Sequence, residues 1–288
     1  MRLALVFDFD LTLSPRIMFD PVLAHWGLEP DAFWAGCTAL QQGAGGYDLE
    51  HSYLAELTRL GREDPARRLN AARLRAWGSE VALYPGLVDS PAGPGLFRAL
   101  REKVPPGQLE LFIISGGLQP LIEGCLEHHG LARHFKAVFA CRMAEEDPGD
   151  GLGLRLSFPK ETVGFTAKTQ KLFAISKGSW MPDAPDVNAK VRPEDLRVPL
   201  SNMLYIGDGH SDVAAFALLH QFGGASLAVH APGDARAEAR ARSYAVEQAR
   251  ADGWHEADYS VGSPLRQAIL NWALDLSGRA AHPELALP

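Results

Sequence analysis

The sequence contains little cysteine and no long apolar run. The 288 residues include only three cysteines, Cys37, Cys125 and Cys141, and their wide spacing matches neither a disulfide framework nor a zinc motif. No stretch approaches the roughly 18 uninterrupted apolar residues of a membrane-spanning helix. The first ten residues contain two acids and lack the apolar stretch of a signal peptide. These absences predict a cytoplasmic protein with no membrane partner.

Positive charge is also scarce. The chain has 28 Lys and Arg residues against 35 Asp and Glu residues, which gives a net charge of −7 at pH 7. This balance argues against nucleic acid and against an anionic membrane surface as partners, because both need a surplus of basic side chains. The hydrophobic share of 47% is ordinary for a globular protein and is enough for a large core. We therefore expect a folded protein that is long enough for two domains.

Short apolar runs alternate with helical patterns along most of the chain. Such runs predict strands that are buried on both faces, as in a parallel sheet. They span residues 3–7, 109–114 and 203–206, and more weakly 135–140 and 225–229. The helical patterns span residues 95–103, 118–129, 167–177, 212–220 and 234–250. This alternation predicts an α/β fold with a doubly wound parallel sheet.

Residues 15–83 interrupt the alternation with mostly helical sequence. We expect them to form a small inserted domain, while residues 1–14 and 84–288 form the domain that contains the sheet. Tyr84-Pro85-Gly86 predicts a turn and a hinge point where the chain re-enters the sheet domain, because Pro fixes one backbone angle and Gly permits the next.

Two later segments also depart from the alternation. Residues 147–158 predict a turn followed by an edge hairpin, because Pro and Gly cluster at the start of this segment. Residues 178–200 are rich in Pro and Asp and predict a long exposed loop.

Polar residues follow directly after three of the apolar runs. Asp8-Phe9-Asp10-Leu11-Thr12 follows the first, Ser115-Gly116-Gly117 the second, and Gly207-Asp208-Gly209-His210-Ser211-Asp212 the third. Lys168 begins a predicted helix, where its charge opposes the helix dipole, and this indicates an anionic partner. Taken singly, each segment is also explained as a turn or a helix cap. Because parallel strands present their carboxyl ends at one edge of a sheet, we expect these side chains to meet there.

In this order, the four segments resemble the motifs of the haloacid dehalogenase-like (HAD) superfamily. DFDLT is similar to its first motif, DxDx[TV], and Ser115 to its second. Lys168 is similar to its third motif, and GDGHSD to its fourth, GDGxxD. The inserted helical segment is similar in position to the C1 cap of phosphoserine phosphatase-like members. The resemblance therefore implies a Rossmann-like core, residues 1–14 and 84–288, with a helical C1 cap, residues 15–83.

The resemblance also implies an activity, the Mg²⁺-dependent hydrolysis of a small organic phosphate monoester through an aspartyl-phosphate. Asp8 matches the nucleophile, and Asp10 matches the acid/base residue. A carboxylate about 4 Å from a phosphate dianion is repelled by roughly 8 kcal/mol at an effective dielectric constant near 20. The site must therefore supply positive charge. The matching Mg²⁺ ligands are the Asp8 carboxylate, the Asp10 main-chain carbonyl and the Asp208 carboxylate.

Other residues take supporting roles by the same resemblance. Ser115, Gly116 and Lys168 would bind the phosphoryl oxygens, with Thr12 in support. Asp212 would orient Lys168 or the waters bound to the metal.

Three assignments stay open from the sequence. Lys160 and Lys171 are alternative lysines for the third motif, because residues 178–200 separate Lys168 unusually far from the fourth motif. Arg16 is the basic residue nearest to the first motif, and it is our candidate for a substrate contact. The activity itself could also be phosphoryl transfer, as in a phosphomutase, or the protein could be a non-catalytic regulator that binds a phosphate ligand.

Other activities agree less well with the residues. Dehalogenases of the superfamily need no acid for an alcohol leaving group, so Asp10 argues against them. Phosphonate cleavage uses a lysine in the cap, and no lysine occurs before residue 103. The first predicted strand leads into neither a GxGxxG fingerprint nor a Walker A loop, which argues against a dinucleotide-binding oxidoreductase.

Overall fold

A seven-stranded sheet forms the centre of the fold in the computed structural model, which describes residues 2–43 and 46–281. The strands are β1 (Leu3–Phe7), β2 (Leu109–Leu118), β3 (Phe135–Glu146), β4 (Arg155–Glu161), β5 (Met203–Gly207), β6 (Ala225–His230) and β7 (Gly253–Glu256). Their order across the sheet is β4-β3-β2-β1-β5-β6-β7. All neighbouring strands are parallel except β3 and β4. The predicted α/β fold is therefore confirmed.

Ten helices accompany the sheet in the described part of the chain. They are α1 (Asp20–His25), α2 (Pro30–Gln42), α3 (Leu49–Glu63), α4 (Ala71–Trp77), α5 (Leu96–Lys103), α6 (Gln119–His128), α7 (Thr166–Lys177), α8 (Val213–Gln221), α9 (Ala235–Val246) and α10 (Pro264–Ala281). Within the described ranges, no helix combines the length and the apolar character that crossing a membrane requires.

The position of β1 determines where ligands can bind. All five of its residues are buried, as the continuous apolar run predicts. The chain runs outward from β1 through β2 and β3 and then returns to the other side of β1 with β5. Ligands of open α/β sheets bind beyond the carboxyl ends of the strands at such a reversal.

Helices α1 to α4 lie between β1 and α5 in the sequence, and their aromatic side chains pack together. The rings of Phe19, Phe33, Trp34 and Tyr53 form a cluster with neighbouring ring centroids between 4.9 and 6.4 Å apart. Phe19, Phe33 and Tyr53 are almost completely buried. This cluster gives the helical segment an apolar core that adjoins the carboxyl edge of the sheet.

The helical segment is attached to the sheet domain by a close contact between α4 and α6. A Cβ atom at Gly124 would overlap the carbonyl oxygen of Arg75, and one at Gly78 would overlap the carbonyl oxygen of Leu121. The two backbones therefore touch at positions where only glycine fits. Arg75 also forms an ion pair with Glu123 of α6 at 2.8 Å.

The turn at residues 84–86 is packed rather than open. Gly86 has a φ of +82°, which suits glycine, and a Cβ there would overlap the backbone of Tyr259. The main chain is also bonded, since Tyr259 N donates to the carbonyl of Pro85 at 3.0 Å. The sequence predicts a turn and a hinge point here; the structure contains the turn, but its packing restricts movement.

The two segments that depart from the alternation fold differently. In the first of them, β4 lies at the edge of the sheet and pairs antiparallel with β3, as the predicted turn and edge hairpin require. Residues 178–200 contain short 3₁₀ turns but neither α-helix nor strand. They are held to the sheet domain, because Lys177 Nζ donates to the carbonyls of Val187 at 2.6 Å and Ala189 at 2.8 Å. Trp180 also packs edge-on against Phe112 of β2.

Candidate active site

The first polar segment turns sharply at the end of β1. Leu11 has a φ of +57°, a left-handed conformation that is uncommon for a residue with a side chain. The amides of Leu13 and Ser14 both donate to the carbonyl of Phe9, at 2.8 and 3.0 Å. This tight turn directs both Asp8 and Asp10 into a single cavity at the carboxyl edge of the sheet.

Lys168 bridges two carboxylates beneath this cavity. Its Nζ lies 2.9 Å from Asp8 Oδ2 and 2.6 Å from Asp212 Oδ1, and the side chain is completely buried. Burial alone would lower the pKa of the ammonium, but the Asp212 and Asp8 carboxylates raise it above its usual value. Lys168 is therefore charged, and it supplies positive charge directly beside Asp8.

Asp212 is fixed by three hydrogen-bond donors. Its Oδ1 accepts from Lys168 Nζ and also from the Tyr205 hydroxyl at 2.7 Å, and its Oδ2 accepts from Gly209 N at 3.0 Å. Both oxygens of Asp212 are thus engaged by the protein. The structure places this residue where it orients Lys168.

Asp8, Asp208 and Asp212 form a carboxylate cluster. One oxygen from each lies within 4.8 Å of the others. Burial raises the pKa of Asp8 to about 7 against the opposing charge of Lys168, and burial also raises the pKa of Asp208 well above its usual value. The negative charges of Asp212 and Asp8 add to the rise at Asp208. A bound cation would relieve this concentration of buried negative charge.

Asp10 lies in the same cavity with a different environment. Its Oδ1 accepts a hydrogen bond from Met18 N at 2.8 Å. Burial, together with the charge of Asp8, raises its pKa to about 8. A carboxyl group with such a pKa keeps a proton near neutral pH, which is what a general acid requires.

The second polar segment adds hydroxyl and backbone groups at the end of β2. Ser115 is buried and lines the cavity, and its Oγ accepts from Gly117 N at 3.0 Å. The carbonyl of Gly116 accepts hydrogen bonds from the Tyr53 hydroxyl of α3 and from Cys141 Sγ. The helical segment is therefore in direct contact with the segment that carries Ser115.

The cavity has a volume of about 170 Å³ and two chemically different sides. The polar side is lined by Asp8, Asp10, Ser115, Gly116, Asp208 and Ser211. The other side comes from the helical segment and is lined by Ile17, Phe19, Trp34, Leu49, Glu50 and Tyr53. This volume is below the roughly 300 Å³ at which drug-sized pockets begin, so the enclosed part of the site is small.

A family model described as haloacid dehalogenase-like hydrolase matches residues 5–217 of the sequence, which is well over half of the chain. The chain belongs to the HAD family. The match includes the end of β1, the helical segment and all four polar segments described above. The chain is accordingly a hydrolase, and the predicted family membership is confirmed.

Individual relatives of this HAD hydrolase agree with the assignment. An uncharacterized protein of Borreliella burgdorferi is 27% identical over 237 residues, which are 76% of this chain and 78% of that protein. A HAD family hydrolase from Salmonella enterica serovar Typhi is similar in structure, with a TM-score of 0.55 at 16% identity. The similarity covers 87% of this chain and 66% of that one, just under two thirds of its length. A phosphoserine phosphatase in its apo form has a TM-score of 0.56 at 16% identity. This similarity covers 93% of this chain and 98% of that one. At these identities the structural likeness shows the fold.

Not every residue expected at the site of the HAD hydrolase lies there. Arg16, the candidate substrate contact, does not line the cavity; its side chain is 78% exposed and pairs with Asp20 at 3.1 Å. The next residue, Ile17, does line the cavity, so it is the Arg16 side chain that is directed away from it, toward Asp20. Thr12 does not line the cavity either, and its buried Oγ1 has no hydrogen-bond partner among the described residues.

The structure also separates the three candidate lysines. Lys168 contacts Asp8, whereas Lys171 pairs with Glu161 and Lys160 is exposed on β4. Of these three lysines, therefore, only Lys168 is brought to the site.

Two residues in or next to the site were not singled out from the sequence. Tyr205 lies within an apolar run. Because the hydroxyl of a tyrosine in a fully buried strand needs a hydrogen-bond partner, the sequence could have predicted that Tyr205 contacts a buried polar group. Glu50 stands in the first turn of α3, where acids are common because they interact favourably with the helix dipole. Its sequence context therefore gave no reason to single it out.

Proposed function

We propose that the chain is a Mg²⁺-dependent phosphatase that hydrolyses a small phosphate monoester through an aspartyl-phosphate on Asp8. The observation that carries this proposal is the arrangement around Asp8. Its carboxylate faces a small cavity, contacts the buried ammonium of Lys168, and has a second carboxyl group, Asp10, two residues away in the same cavity. A nucleophile, a compensating cation and a proton donor are thus together.

The residues of the site agree with a bound Mg²⁺ ion. Carboxylate oxygens are the ligands that Mg²⁺ prefers, and Asp8 and Asp208 offer two of them within 4.8 Å. Asp212 accepts three hydrogen bonds, one of them from Lys168 at 2.6 Å, so we propose that it supports the site through Lys168. We propose Asp8, the main-chain carbonyl of Asp10 and Asp208 as the ligands. When bound, Mg²⁺ would neutralise part of the charge on the phosphoryl group.

In the first proposed step, an Asp8 oxygen attacks the phosphorus and the bond from phosphorus to the ester oxygen breaks. The proton on Asp10 passes to the departing oxygen, so the leaving group departs as a neutral alcohol. Lys168 stabilises the charge that accumulates on the phosphoryl oxygens next to Asp8, and Ser115 donates its hydroxyl hydrogen to them.

In the second proposed step, water hydrolyses the aspartyl-phosphate. Asp10 is now ionised and accepts a proton from a water molecule as the water oxygen attacks the phosphorus. The bond between phosphorus and Asp8 breaks, which releases inorganic phosphate and restores Asp8 as a carboxylate. Asp10 ends the cycle protonated, as it began.

We further propose that residues 15–83 act as a cap over this site, with residues 1–14 and 84–288 as the core. Six of the residues that line the cavity come from the helical segment, and Tyr53 joins it to the backbone of Gly116. A covered site favours a small substrate, because closure encloses the leaving group and excludes water. We also propose a cytoplasmic location, with which three buried, unpaired cysteines are compatible.

The test is the release of inorganic phosphate from phenyl phosphate and n-propyl phosphate. We expect release by the wild-type protein in Mg²⁺, loss of release in excess EDTA, and loss of at least about 10³-fold in Asp8→Asn. Such a loss is typical when a nucleophile is removed. Because inorganic phosphate is measured, hydrolysis is separated from transfer to a second substrate.

The matched control is Asp195→Asn, which changes an exposed carboxylate paired with Arg192. We expect it to retain wild-type activity. If the folded wild-type protein in Mg²⁺ releases no phosphate from either ester, or if Asp8→Asn is as active as Asp195→Asn, the proposed function is wrong.

A further inference from the structure

One side chain in the cavity has no role in the proposed reaction. Glu50 lies on the helical side of the cavity, near the start of α3, and only 5% of the residue is exposed. In the described part of the chain, no basic side chain forms an ion pair with its carboxylate, and the hydrogen-bond donor beside it is its own main-chain N–H. A buried carboxylate without a counter-ion is unfavourable, because it loses water and gains no compensating charge. A ligand that supplies the missing partner would remove this penalty.

The surroundings of Glu50 are shaped to hold its carboxyl group. A Cβ atom at Gly164 would overlap this carboxyl group, so the absence of a side chain at Gly164 makes room for it. Glu50 Oε1 would also lie 3.6 Å from a Cβ at Gly116, in the segment that carries Ser115. The carboxylate is therefore placed close to where the phosphoryl group would bind.

The rest of the cavity excludes an anionic leaving group. Among the described residues that line it, none is Lys, Arg or His, whereas Asp8, Asp10, Asp208 and Glu50 all carry carboxyl groups. Lys168 is engaged by two carboxylates beneath the cavity. A leaving group with its own carboxylate, such as that of phosphoserine, would find no basic side chain to receive it and would be repelled by Glu50.

The aromatic side chains beside Glu50 favour a cation. Phe19, Trp34 and Tyr53 line the same side of the cavity, with ring centroids 4.9 to 6.4 Å apart. Aromatic rings attract ammonium groups through their negative faces. The cavity volume of about 170 Å³ is compatible with a short leaving group.

From this geometry we infer that the substrate is the phosphate monoester of a small amino alcohol, whose ammonium group pairs with Glu50 against the aromatic rings. The inference rests on the proposed function, in which the phosphoryl group is transferred to Asp8 and then hydrolysed. It makes Glu50 the residue that determines specificity.

The test compares isosteric esters. The substrates are 2-aminoethyl phosphate, n-propyl phosphate, in which a methyl group replaces the ammonium, and carboxymethyl phosphate. For the wild-type protein in Mg²⁺ we expect kcat/KM to be at least tenfold higher for the aminoethyl ester than for the propyl ester. We expect the carboxymethyl ester to be the poorest substrate. In Glu50→Gln the preference for aminoethyl over propyl should fall to less than threefold, mainly through KM.

Two further variants make the test specific. Gly164→Ala displaces the Glu50 carboxyl group without changing its charge, so it should reduce the same preference. Glu63→Gln removes an exposed carboxylate on the same helix, away from the cavity, and should leave the preference and the rates unchanged. Circular dichroism and the unfolding midpoint check that each variant is folded.

A binding measurement separates the two proposals. Calorimetry with the Mg²⁺-loaded wild-type protein would compare 3-aminopropylphosphonate with butylphosphonate. These compounds correspond to the aminoethyl and propyl esters, with a CH₂ group in place of the ester oxygen, so they cannot be hydrolysed. We expect at least tenfold tighter binding of the amino compound, and loss of this difference in Glu50→Gln. Equal binding of the two phosphonates, or a preference that survives in Glu50→Gln, would overturn the inference. Preferential binding without hydrolysis of any ester would support the inference and refute the proposed function.

Discussion

Replacement of Lys168 by methionine is expected to destabilise the protein strongly, even before activity is considered. Lys168 and Asp212 are completely buried, and the Asp8 side chain is 6% exposed. Lys168→Met therefore leaves two buried carboxylates without the ammonium that both contact. Removing one partner of a buried ion pair costs about 3–5 kcal/mol, because the remaining charge has neither water nor a counter-ion.

The measurement is urea unfolding of the wild-type and variant proteins in EDTA, with the free energy of unfolding extrapolated to water. The matched control is Lys160→Met, which changes an exposed lysine and should alter the free energy by less than about 0.5 kcal/mol. Addition of Mg²⁺ should restore part of the stability lost in Lys168→Met, since a divalent cation at Asp8 and Asp208 replaces some of the missing positive charge.

A double-mutant cycle tests the cause of the loss. Asp212→Asn in the Lys168→Met background removes one of the two unpaired charges. The double variant should therefore be at least about 1 kcal/mol more stable than the sum of the single changes predicts. Two results would refute the reasoning: a loss below about 1 kcal/mol in Lys168→Met, or strict additivity in the cycle. Either would mean that Lys168 does not compensate buried negative charge.

Two further predictions concern stability away from the cavity surface. Tyr205→Phe removes the hydroxyl that donates to Asp212 at 2.7 Å and should lower the free energy of unfolding by about 1.5–3 kcal/mol. Tyr84→Phe removes a buried hydroxyl that has no partner among the described residues and should be neutral; equal losses in the two variants would contradict the argument. Burial, with the nearby charges of Arg101 and Arg133, lowers the pKa of His134 from 6.5 to about 4. The folded state thus binds this proton less well than the unfolded state, and stability falls as the pH drops below 6.5. By pH 5 the loss from this residue is about 2 kcal/mol. Urea unfolding at pH 8 and pH 5 should show that His134→Leu loses less stability than the wild type; equal losses would rule out this cause.

The sheet and the polar ends of its strands were predictable because strong local signals determine them. The first apolar run coincides with β1 at both ends, since a strand buried on both faces requires an unbroken apolar sequence. The acids that follow β1 lie at the carboxyl edge of the sheet, because parallel strands all end at that edge. β7 was not predicted, because its sequence, Gly253–Glu256, has a partly exposed pattern and no apolar run.

Which side chains line the cavity could not be predicted from their distance along the sequence. Arg16 is six residues from Asp10, yet its side chain lies at the surface, while the adjacent Ile17 lines the cavity. Glu50 is forty residues away and still lines the cavity, because α3 packs across the end of β2. Sequence patterns identify which side chains are buried, but only the packing of helices decides which of them face the same space.

The backbone contact between Gly78 and α6 divides the helical segment into two halves that differ in freedom. Its C-terminal half is wedged against α6 at Gly124, and the re-entry turn at Gly86 is packed against Tyr259. Its α3 half is held by side-chain hydrogen bonds instead, from the Tyr53 hydroxyl to the carbonyl of Gly116 and from Arg62 to the carbonyl of Ser157 in β4. Such bonds can break and re-form without a change in backbone packing, so we expect any opening of the cavity to be a displacement of α2 and α3, as a flap attached along one edge. Changes on that flap would alter turnover while leaving the carboxylate chemistry intact.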